Sequence, residues 1–312
     1  MFHGAPARTN FTLEPFKVAL RIWGCKMSSV AVVTMAYNEK EYLPIWIEYY
    51  SKQVGANNLF IIDHGTEDGS TDNLKEVNVI RIPRSPKDND RRTKAVSEFC
   101  RFLLKWYDSV IHTDCDEIVV ADPDQYSGIA EYCEKTEKKV VTAIGLDVYQ
   151  TSEDEPPLDI KVPVTKQRSF VRFSSSMCKP VLIKTPVDWS AGFHSCDSKV
   201  EFDHLFLFHM RYFDYGIGLD RLARTRAMAW ASPHAGSHQR MPDEDYMGMV
   251  RRAGMLPKNE DITLSPNDPI LGSYIKRVLD TEKDVKPPQY RIDLHIFGEQ
   301  QWRIPQRFVG IF

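Results

Sequence analysis

The sequence predicts an α/β protein with a mostly parallel central sheet flanked by helices. Three observations support this prediction: strand-like and helix-like runs alternate from Val30 to Tyr149, the connections between them are short, and polar residues fall at the strand ends. Alternating strands and helices with short connections form right-handed βαβ units, which build parallel sheets. Ligands of such sheets bind beyond the carboxyl ends of the strands, so we expect a site at that edge.

The first strand is predicted for "VAVVTM", which begins at Val30, because a continuous β-branched run is typical of a strand buried on both faces. An amphipathic helix follows in "YLPIWIEYYSKQVG", with Asn38 as a candidate N-cap and Gly55 at its exit. The remaining predicted strands are "NLFIID", "VNVIRIP", "SVIHTD", "KKVVTAIGLDVY", "FVRFSS", "KPVLIKT" and "HLFLFHMRYF", and the remaining predicted helices are "RRTKAVSEFCRFLLKWY" and "IGLDRLARTRAMAW".

Composition limits the class of protein. The chain has 312 residues, with 42% hydrophobic and 27% charged residues, as in a globular protein. The net charge of −3 gives no general attraction to nucleic acid, and no apolar run approaches the roughly 20 residues that span a bilayer. The start of the chain lacks a signal-peptide pattern, and the six cysteines lack C-x-x-C spacing. We therefore expect a cytoplasmic protein with free thiols, no transmembrane segment and at most peripheral membrane contact.

The segment "HTDCDEIVVADP" crowds Asp114, Asp116 and Glu117 at the end of a predicted strand. Like charges this close repel one another and raise one another's pKa, so a positive partner is expected. In extended backbone, Asp114 and Asp116 share a face and offer two hard oxygen ligands. The pattern indicates a Mg²⁺ or Mn²⁺ site; the alternative is a charged β-turn.

A longer stretch carries a family resemblance. The segment "VVTMAYNEKEYLPIWIEYYSKQVGANNLFIIDHGTEDGSTDN" resembles the opening of GT-A glycosyltransferases, most closely family 2 and its relatives in family 92. "VIHTDCDEIV" is similar to the D-x-D-E segment of that family. The resemblance covers about residues 30–125, is looser through "FVRFSS", "GFHS" and "LFLFHMRY", and ends near Asp220.

The resemblance implies the GT-A, or nucleotide-diphospho-sugar transferase, fold with C-terminal additions. The implied division is an N-terminal extension at 1–27, a catalytic domain at 28–220 and a helical or irregular extension at 221–312 packed on the domain. Within the catalytic domain, the nucleotide-binding half is expected at about 28–125 and the acceptor half at about 126–220.

The resemblance also implies an activity: metal-dependent, inverting transfer of a hexosyl-type sugar from a UDP- or GDP-type donor to an acceptor hydroxyl, in polysaccharide or glycoconjugate synthesis. The implied cofactor is Mn²⁺ or Mg²⁺. The implied metal ligands are Asp114, Asp116 and His209, the last in an H-x-R setting with Arg211. His194 is an alternative to His209, and either histidine is equally explained as a satisfied core or surface residue. His112 is expected to pack inside the sheet.

The implied donor-binding residues are Ala36, Asn38, Glu39, Asp63, Lys94, Asp114 and Cys115. For several of them a structural explanation stays open. Asp63 is also explained as a turn or helix cap, Lys94 with the neighbouring arginines as a solvated face, and Cys115 as a small core residue.

An inverting enzyme needs a carboxylate that deprotonates the acceptor hydroxyl. Family members carry an E-D pair ahead of the histidine, and this sequence has no clear one there. Asp188 is the candidate, beside Trp189 as a sugar-stacking ring, with Asp197 as second choice; a turn aspartate is the alternative for Asp188.

Two other classes stay open. A nucleotidyltransferase would share the α/β sheet and acidic metal site, but "TMAYNEKEY" lacks the Gly-rich phosphate loop such enzymes usually carry. A non-catalytic protein that binds a sugar or nucleotide is favoured by the missing E-D pair and disfavoured by the intact D-x-D.

Overall fold

The structure is a computed structural model that describes residues 29–233, 236–286 and 289–312. The extension predicted at 1–27 lies outside the described residues. Among the described residues, no helix is both long enough and apolar enough to cross a bilayer.

The described strands are β1 (Val30–Ala36), β2 (Leu59–Asp63), β3 (Asn78–Arg81), β4 (Ser109–His112), β5 (Glu117–Ala121), β6 (Val140–Tyr149), β7 (Phe170–Phe173), β8 (Pro180–Ile183), β9 (Phe202–Tyr212), β10 (Lys258–Asn259), β11 (Lys283–Val285), β12 (Gln289–Arg291) and β13 (Gln301–Arg303). The described helices are α1 (Leu43–Val54), α2 (Asn89–Leu103), α3 (Ile129–Lys135), α4 (Val164–Gln167), α5 (Tyr215–Ala227), α6 (Asp243–Gly254) and α7 (Pro269–Leu279).

The predicted α/β class, with a large sheet flanked by helices, is confirmed. Strands β3, β2, β1 and β4 are neighbours in that order and all run parallel, so their carboxyl ends meet at one edge. Helices α1 and α2 supply the crossovers. Beyond β4 the pairing is mixed: β8 is antiparallel to both β4 and β6, and β9 lies antiparallel to β5 but parallel to β6.

Strand β1 is buried on both faces, as its β-branched run predicts. Val32 belongs to the hydrophobic cluster under α1, whereas Ala31 and Val33 belong to the cluster under α2. Alternate residues of a strand point to opposite faces, so one strand serves both layers. Packing on both faces therefore fixes the position of β1, and with it the position of its carboxyl end.

Helix α1 begins later than the sequence suggests. Its N-cap position is Tyr42, and Asn38 instead takes a left-handed conformation (φ 55°) in the preceding turn, so the N-cap prediction for Asn38 is wrong. Asn38 Oδ1 accepts a hydrogen bond from the Glu67 backbone N–H at 2.8 Å, which ties this turn to the next loop. The predicted exit at Gly55 is confirmed (φ 86°).

The predicted boundary at residue 220 falls within α5 (Tyr215–Ala227). The residues that follow extend the main sheet, with β13 antiparallel to β7 and β10 parallel to β13. Free thiols were expected, and the cysteines among the described residues are all free and buried: Cys100, Cys115, Cys133, Cys178 and Cys196.

Candidate functional site

The acidic cluster lies in a tight turn between β4 and β5. The backbone N–H of Glu117 donates to the Asp114 carbonyl, and the N–H of Asp114 donates to Glu117 Oε2, both at 3.1 Å. Trp46 Nε1 holds the residue before the turn by donating to Thr113 Oγ1 at 2.8 Å. The prediction that the D-x-D motif lies in extended backbone is therefore wrong: the motif lies in a turn, and Asp114 and Asp116 contact different partners.

The charge that offsets the repulsion comes first from the chain itself. Arg92 of α2 forms an ion pair with Asp114, and Lys179, just before β8, lies between Asp114 (3.4 Å) and Glu117. Burial opposes ionisation of Asp114, but Arg92 and Lys179 together hold its pKa well below the usual range. Arg221 of α5 forms an ion pair with Asp116. Each acidic side chain of the turn thus has a basic partner.

A row of polar side chains crosses the sheet at this point. Glu117 of β5 is in register with His209 of β9, which is in register with Asp147 of β6. His209 Nδ1 donates to Asp147 Oδ1 at 2.6 Å, and its Nε2 lies 3.2 Å from Asp116 Oδ2. Burial alone would lower the pKa of His209, but Asp116 and Asp147 raise it to about 9.

These residues fit a divalent cation. Asp116, Glu117 and His209 each offer a ligand atom, and those atoms lie within 4.8 Å of one another. A carboxylate that orients a histidine ring is the usual second layer of a metal site, and Asp147 supplies it here. Of the predicted ligands, Asp116 and His209 meet in this group; Glu117 joins them, whereas Asp114 is held by Arg92 and Lys179.

Glu39 and Tyr42 join the site through Arg221. Glu39 Oε1 accepts from Arg221 Nη2 at 2.8 Å, and the Arg221 guanidinium lies 4.4 Å from the centre of the Tyr42 ring. Glu39 Oε2 and the Tyr42 hydroxyl are buried and have no hydrogen-bond partner among the described residues. Burial raises the pKa of Glu39, and Arg221 offsets part of that rise. Two unpaired buried polar atoms beside a carboxylate cluster are typical of a binding site.

Three basic side chains lie near the acidic turn and are called its basic rim: Lys87, Arg92 and Arg221. Burial lowers the pKa of Lys87 to about 8, and the nearby charges of Arg92 and Arg221 act in the same direction. Lys87 Nζ donates to Gln239 Oε1 at 2.7 Å, and its ammonium lies 4.7 Å from the centre of the Trp230 ring. Cations from three separate elements thus approach one another, an arrangement that an anion would stabilise.

Asp63 ends β2 at the same edge as Ala36, its register partner on β1. The buried carboxylate accepts from the Thr66 backbone N–H at 2.7 Å and from Arg81 Nη1 at 3.1 Å, and Thr71 Oγ1 also donates to it. An ionised carboxylate offers about four acceptor positions, so these contacts leave roughly one. Asp63 therefore shapes the loop after β2, whatever else it binds.

Other predicted residues lie apart from the cluster or inside the core. Lys94 is exposed on α2, and Arg92, two residues earlier, reaches Asp114 instead. Cys115 is buried in the turn, with its Sγ 3.3 Å from Thr34 Oγ1. His112 packs inside the sheet as expected, with its ring centre 4.0 Å from that of Phe193.

The structure does not bring Asp188 to the cluster. Asp188 is exposed and pairs with Arg101 at 3.0 Å. Arg101 lies nine residues beyond Arg92 on α2, about 13 Å along the helix axis. Trp189 is buried and donates to the Pro180 carbonyl, so the prediction that it stacks on a sugar is wrong.

The three alternative site residues also have structural contacts. Asp197 Oδ1 accepts from the Asp188 backbone N–H at 2.9 Å. His194 Nδ1 donates to the Ser176 carbonyl at 2.8 Å, and the Arg211 guanidinium lies 5.7 Å from the centre of the Tyr212 ring. Among the described residues, neither His194 nor Asp197 belongs to the candidate metal-binding group of Asp116, Glu117 and His209.

Sequence reasoning missed Asp147, Lys179 and Arg221 as site residues. Two of them left a signal, since Asp147 and Lys179 are single charges within or beside long apolar runs, "VVTAIGLDVY" and "KPVLI". Arg221 left none, because "DRLARTRAM" contains three arginines at similar helical spacing.

Comparisons with known proteins give partial likenesses. No family model matches the chain, and no curated protein matches it. Glucosyl-3-phosphoglycerate synthase from Mycobacterium tuberculosis, solved with Mn²⁺, UDP and glucosyl-3-phosphoglycerate, is 21% identical over 29% of this chain and 34% of its own, with a TM-score of 0.23. A mannosyltransferase from Pyrobaculum calidifontis, solved with GDP-Man and Mn²⁺, is 14% identical over 43% of this chain and 37% of its own, with a TM-score of 0.27.

A third similar structure is mannose-1-phosphate geranyltransferase from Thermus thermophilus, 10% identical over 63% of this chain and 61% of its own, with a TM-score of 0.28. The chain therefore spans less than two thirds of each of these three proteins. The function proposed below rests on the site geometry.

Proposed function

We propose that this protein is a metal-dependent glycosyltransferase that uses a nucleotide-diphosphate sugar of the UDP or GDP type. One observation carries the proposal: Asp116, Glu117 and His209 offer ligand atoms within 4.8 Å of one another just beyond the parallel strand β4, and Arg92 and Arg221 contact the same acidic turn. A metal-bound diphosphate contains a cation, which the acidic side chains would bind, and phosphate anions, which the basic side chains would bind.

Asp116, Glu117 and His209 would hold the cation, and Asp147 keeps the His209 ring in place through the 2.6 Å hydrogen bond. A divalent cation bound there would supply Lewis-acid stabilisation of a diphosphate leaving group. Mn²⁺ and Mg²⁺ both accept carboxylate oxygens, and a histidine nitrogen favours Mn²⁺ over Mg²⁺. We therefore propose Mn²⁺ as the better cofactor.

The basic rim would bind the diphosphate. Arg92 reaches the cluster from α2, Lys87 precedes the same helix, and Arg221 approaches from α5. Their mutual repulsion is relieved when a phosphate lies among them, which favours the bound state over the free one. On the neighbouring strands, Asp63 and the turn at Asn38 would contact the nucleoside, since both lie at the carboxyl ends where the sheet opens.

We further propose a hexosyl group as the transferred sugar and a saccharide or glycoconjugate as the acceptor, in polysaccharide or glycoconjugate synthesis in the cytoplasm. Inverting transfer would need a carboxylate at the acceptor hydroxyl. Asp188 was predicted for that task, but its ion pair with Arg101 at the far end of α2 does not support the assignment.

The same observation favours a second candidate. A non-catalytic protein that binds a nucleotide sugar would need the cation group and the basic rim but no acceptor base. The two candidates differ in one product, because only a transferase or hydrolase releases UDP or GDP.

The test is a panel of UDP- and GDP-sugars with Mn²⁺ or Mg²⁺, with saccharide acceptors added so that a hydroxyl other than water can take the sugar, read by thermal stabilisation and by released nucleoside diphosphate. Metal-dependent stabilisation with release supports the glycosyltransferase, and stabilisation without release supports the binding protein. Neither signal from any donor would reject both. Asp116→Asn is the matched control for each positive donor.

A further inference from the structure

The Arg221 guanidinium lies where a cation would be expected. Nη1 donates to Asp116 Oδ2 and Nη2 donates to Glu39 Oε1, so the group bridges two buried carboxylates. Asp116 Oδ2 is also the oxygen that lies 3.2 Å from His209 Nε2. One of the two oxygens that Asp116 could offer to a metal is therefore already bound to an arginine of the same chain.

This contact has an energetic reason. Asp116 is 5% exposed, and a buried carboxylate without a counter-charge is costly. Arg221 supplies that counter-charge through its hydrogen bond to Asp116 Oδ2. In the metal-free protein, Arg221 therefore stabilises the ionised form that a metal also needs.

The ion pair between Arg221 and Asp116 also has features of a contact that can be exchanged for another. The Arg221 side chain is 22% exposed, whereas those of Asp116 and His209 are below a tenth. The guanidinium leaves Glu39 Oε2 and the Tyr42 hydroxyl unpaired. Arg221 also shares the rim with Lys87, whose pKa its charge helps to lower. A phosphate at the rim would thus attract Arg221 away from Asp116.

We propose that Arg221 is a tethered competitor of the metal, which pairs with Asp116 and Glu39 in the free protein and moves to the donor phosphate when metal and nucleotide bind. The inference rests on the proposed function, since it assumes that the cation group serves a nucleoside diphosphate. Arg221 thereby acts as a positioning residue that makes metal and nucleotide binding depend on each other.

Linkage gives this dependence a measurable form. If a nucleoside diphosphate draws Arg221 off Asp116, it must tighten Mn²⁺ binding, and Mn²⁺ must tighten nucleotide binding by the same factor. Removing the guanidinium should raise the affinity for Mn²⁺ alone, on the order of tenfold, because one charge-assisted hydrogen bond no longer competes. The same change should reduce the coupling factor towards one.

The experiment is calorimetric titration of Mn²⁺ into wild type and Arg221→Met, each alone and with saturating UDP or GDP. Methionine keeps an unbranched side chain without the charge. Arg224→Met is the matched control, because Arg224 lies on the same helix and carries the same charge but pairs with Glu41 at 2.6 Å. We expect tighter Mn²⁺ binding without nucleotide in Arg221→Met and wild-type values in Arg224→Met.

Equal or weaker binding of Mn²⁺ alone in Arg221→Met would overturn the inference, as would an unchanged coupling factor. If that variant does not fold, Arg221→Lys replaces it, because a lysine keeps the charge but lacks the planar pair of donors with which the guanidinium holds Asp116 and Glu39 together. Should the titrations show nucleotide-coupled Mn²⁺ binding that is identical in all variants, the inference fails and the proposed function stands. Should Arg221→Met bind Mn²⁺ alone more tightly while no nucleotide affects any variant, the nucleotide-driven exchange and the proposed function would both be rejected, and only a competition between Arg221 and the metal would remain.

Discussion

His209 and Asp147 form a hydrogen bond of 2.6 Å between neighbouring parallel strands, and that bond aims the other ring nitrogen of His209 at Asp116. Asp147→Ala removes the acceptor and leaves the ring free to turn. We expect Mn²⁺ affinity in the presence of UDP or GDP to fall by about 10- to 100-fold, the usual effect of losing such a partner. Asp147→Asn should lose less, because its amide oxygen still accepts from Nδ1. Calorimetry that shows equal affinity in Asp147→Ala and wild type would remove Asp147 from the site.

Lys179 is the buried cation beneath the cluster, with its ammonium between Glu117 and Asp114. Burial alone would lower the pKa of Lys179, but these two carboxylates raise it above the ordinary value. Lys179→Met leaves the buried Glu117 without its cation, whereas Asp114 keeps Arg92, so we expect the free energy of unfolding in urea to drop by about 3–5 kcal/mol. Lys184→Met is the control, because Lys184 donates to carbonyls and strands no carboxylate. A loss no greater than that of the control would contradict the ion-pair account, and adding Glu117→Gln to Lys179→Met should recover part of the loss.

Lys87 should give stability an unusual dependence on pH. Its pKa is lowered to about 8 in the folded protein, chiefly by burial, and is 10.5 in the unfolded chain. Between these values the unfolded chain binds more protons, so this group makes the protein more stable as pH rises from about 8 to 10.5. Urea unfolding at pH 7.5 and 10 should show a gain in wild type, on the order of 1–3 kcal/mol, relative to Lys87→Met. Lys52→Met, which removes an exposed lysine on α1, should keep the gain in stability. Loss of that gain to the same extent in Lys52→Met and Lys87→Met would refute the assignment to Lys87.

Asp63 is proposed to contact the nucleoside while it organises the loop after β2. Asp63→Ala removes the acceptor for Thr66 and Arg81, together with any hydrogen bond to a nucleobase. We expect UDP or GDP binding to weaken by about 1.5–3 kcal/mol, the range for a buried charge-assisted hydrogen bond. Asp72→Ala, an exposed aspartate of the same loop, should bind the nucleotide as wild type does. Unchanged affinity in Asp63→Ala would reject this role.

The parallel half of the fold was accessible from sequence because its signals are local. The β-branched run of β1 and the apolar stripe of α1 follow directly from periodicity, and the elements found agree within a few residues. Strand β5 was missed, because "EIVVA" follows the acidic turn too closely to be separated from it. Strands β10 and β13 were also missed, since two- and three-residue strands have no periodicity to detect.

The site was accessible only in part. Asp116 and His209 were named because their motifs are visible in the chain, and the structure places them 3.2 Å apart. Two of the cations that neutralise the cluster are far away in sequence, since Lys179 is 62 residues from Glu117 and Arg221 is 105 residues from Asp116. Such pairing depends on tertiary packing, and no local pattern distinguishes the arginine that reaches the cluster from its neighbours.

The central claim is that the acidic turn holds a metal–nucleotide complex, and Asp116 tests it most directly. Asp116 is buried and paired, so Asp116→Asn keeps the shape of the side chain and removes the charge, with urea unfolding to show that the variant is folded. The measurement is calorimetry of Mn²⁺ with UDP or GDP on wild type and Asp116→Asn. We predict saturable, mutually dependent binding of metal and nucleotide to wild type and its loss in the variant. Equal binding of the metal–nucleotide pair by both proteins would show that the acidic turn is not a metal site and would contradict the proposed glycosyltransferase.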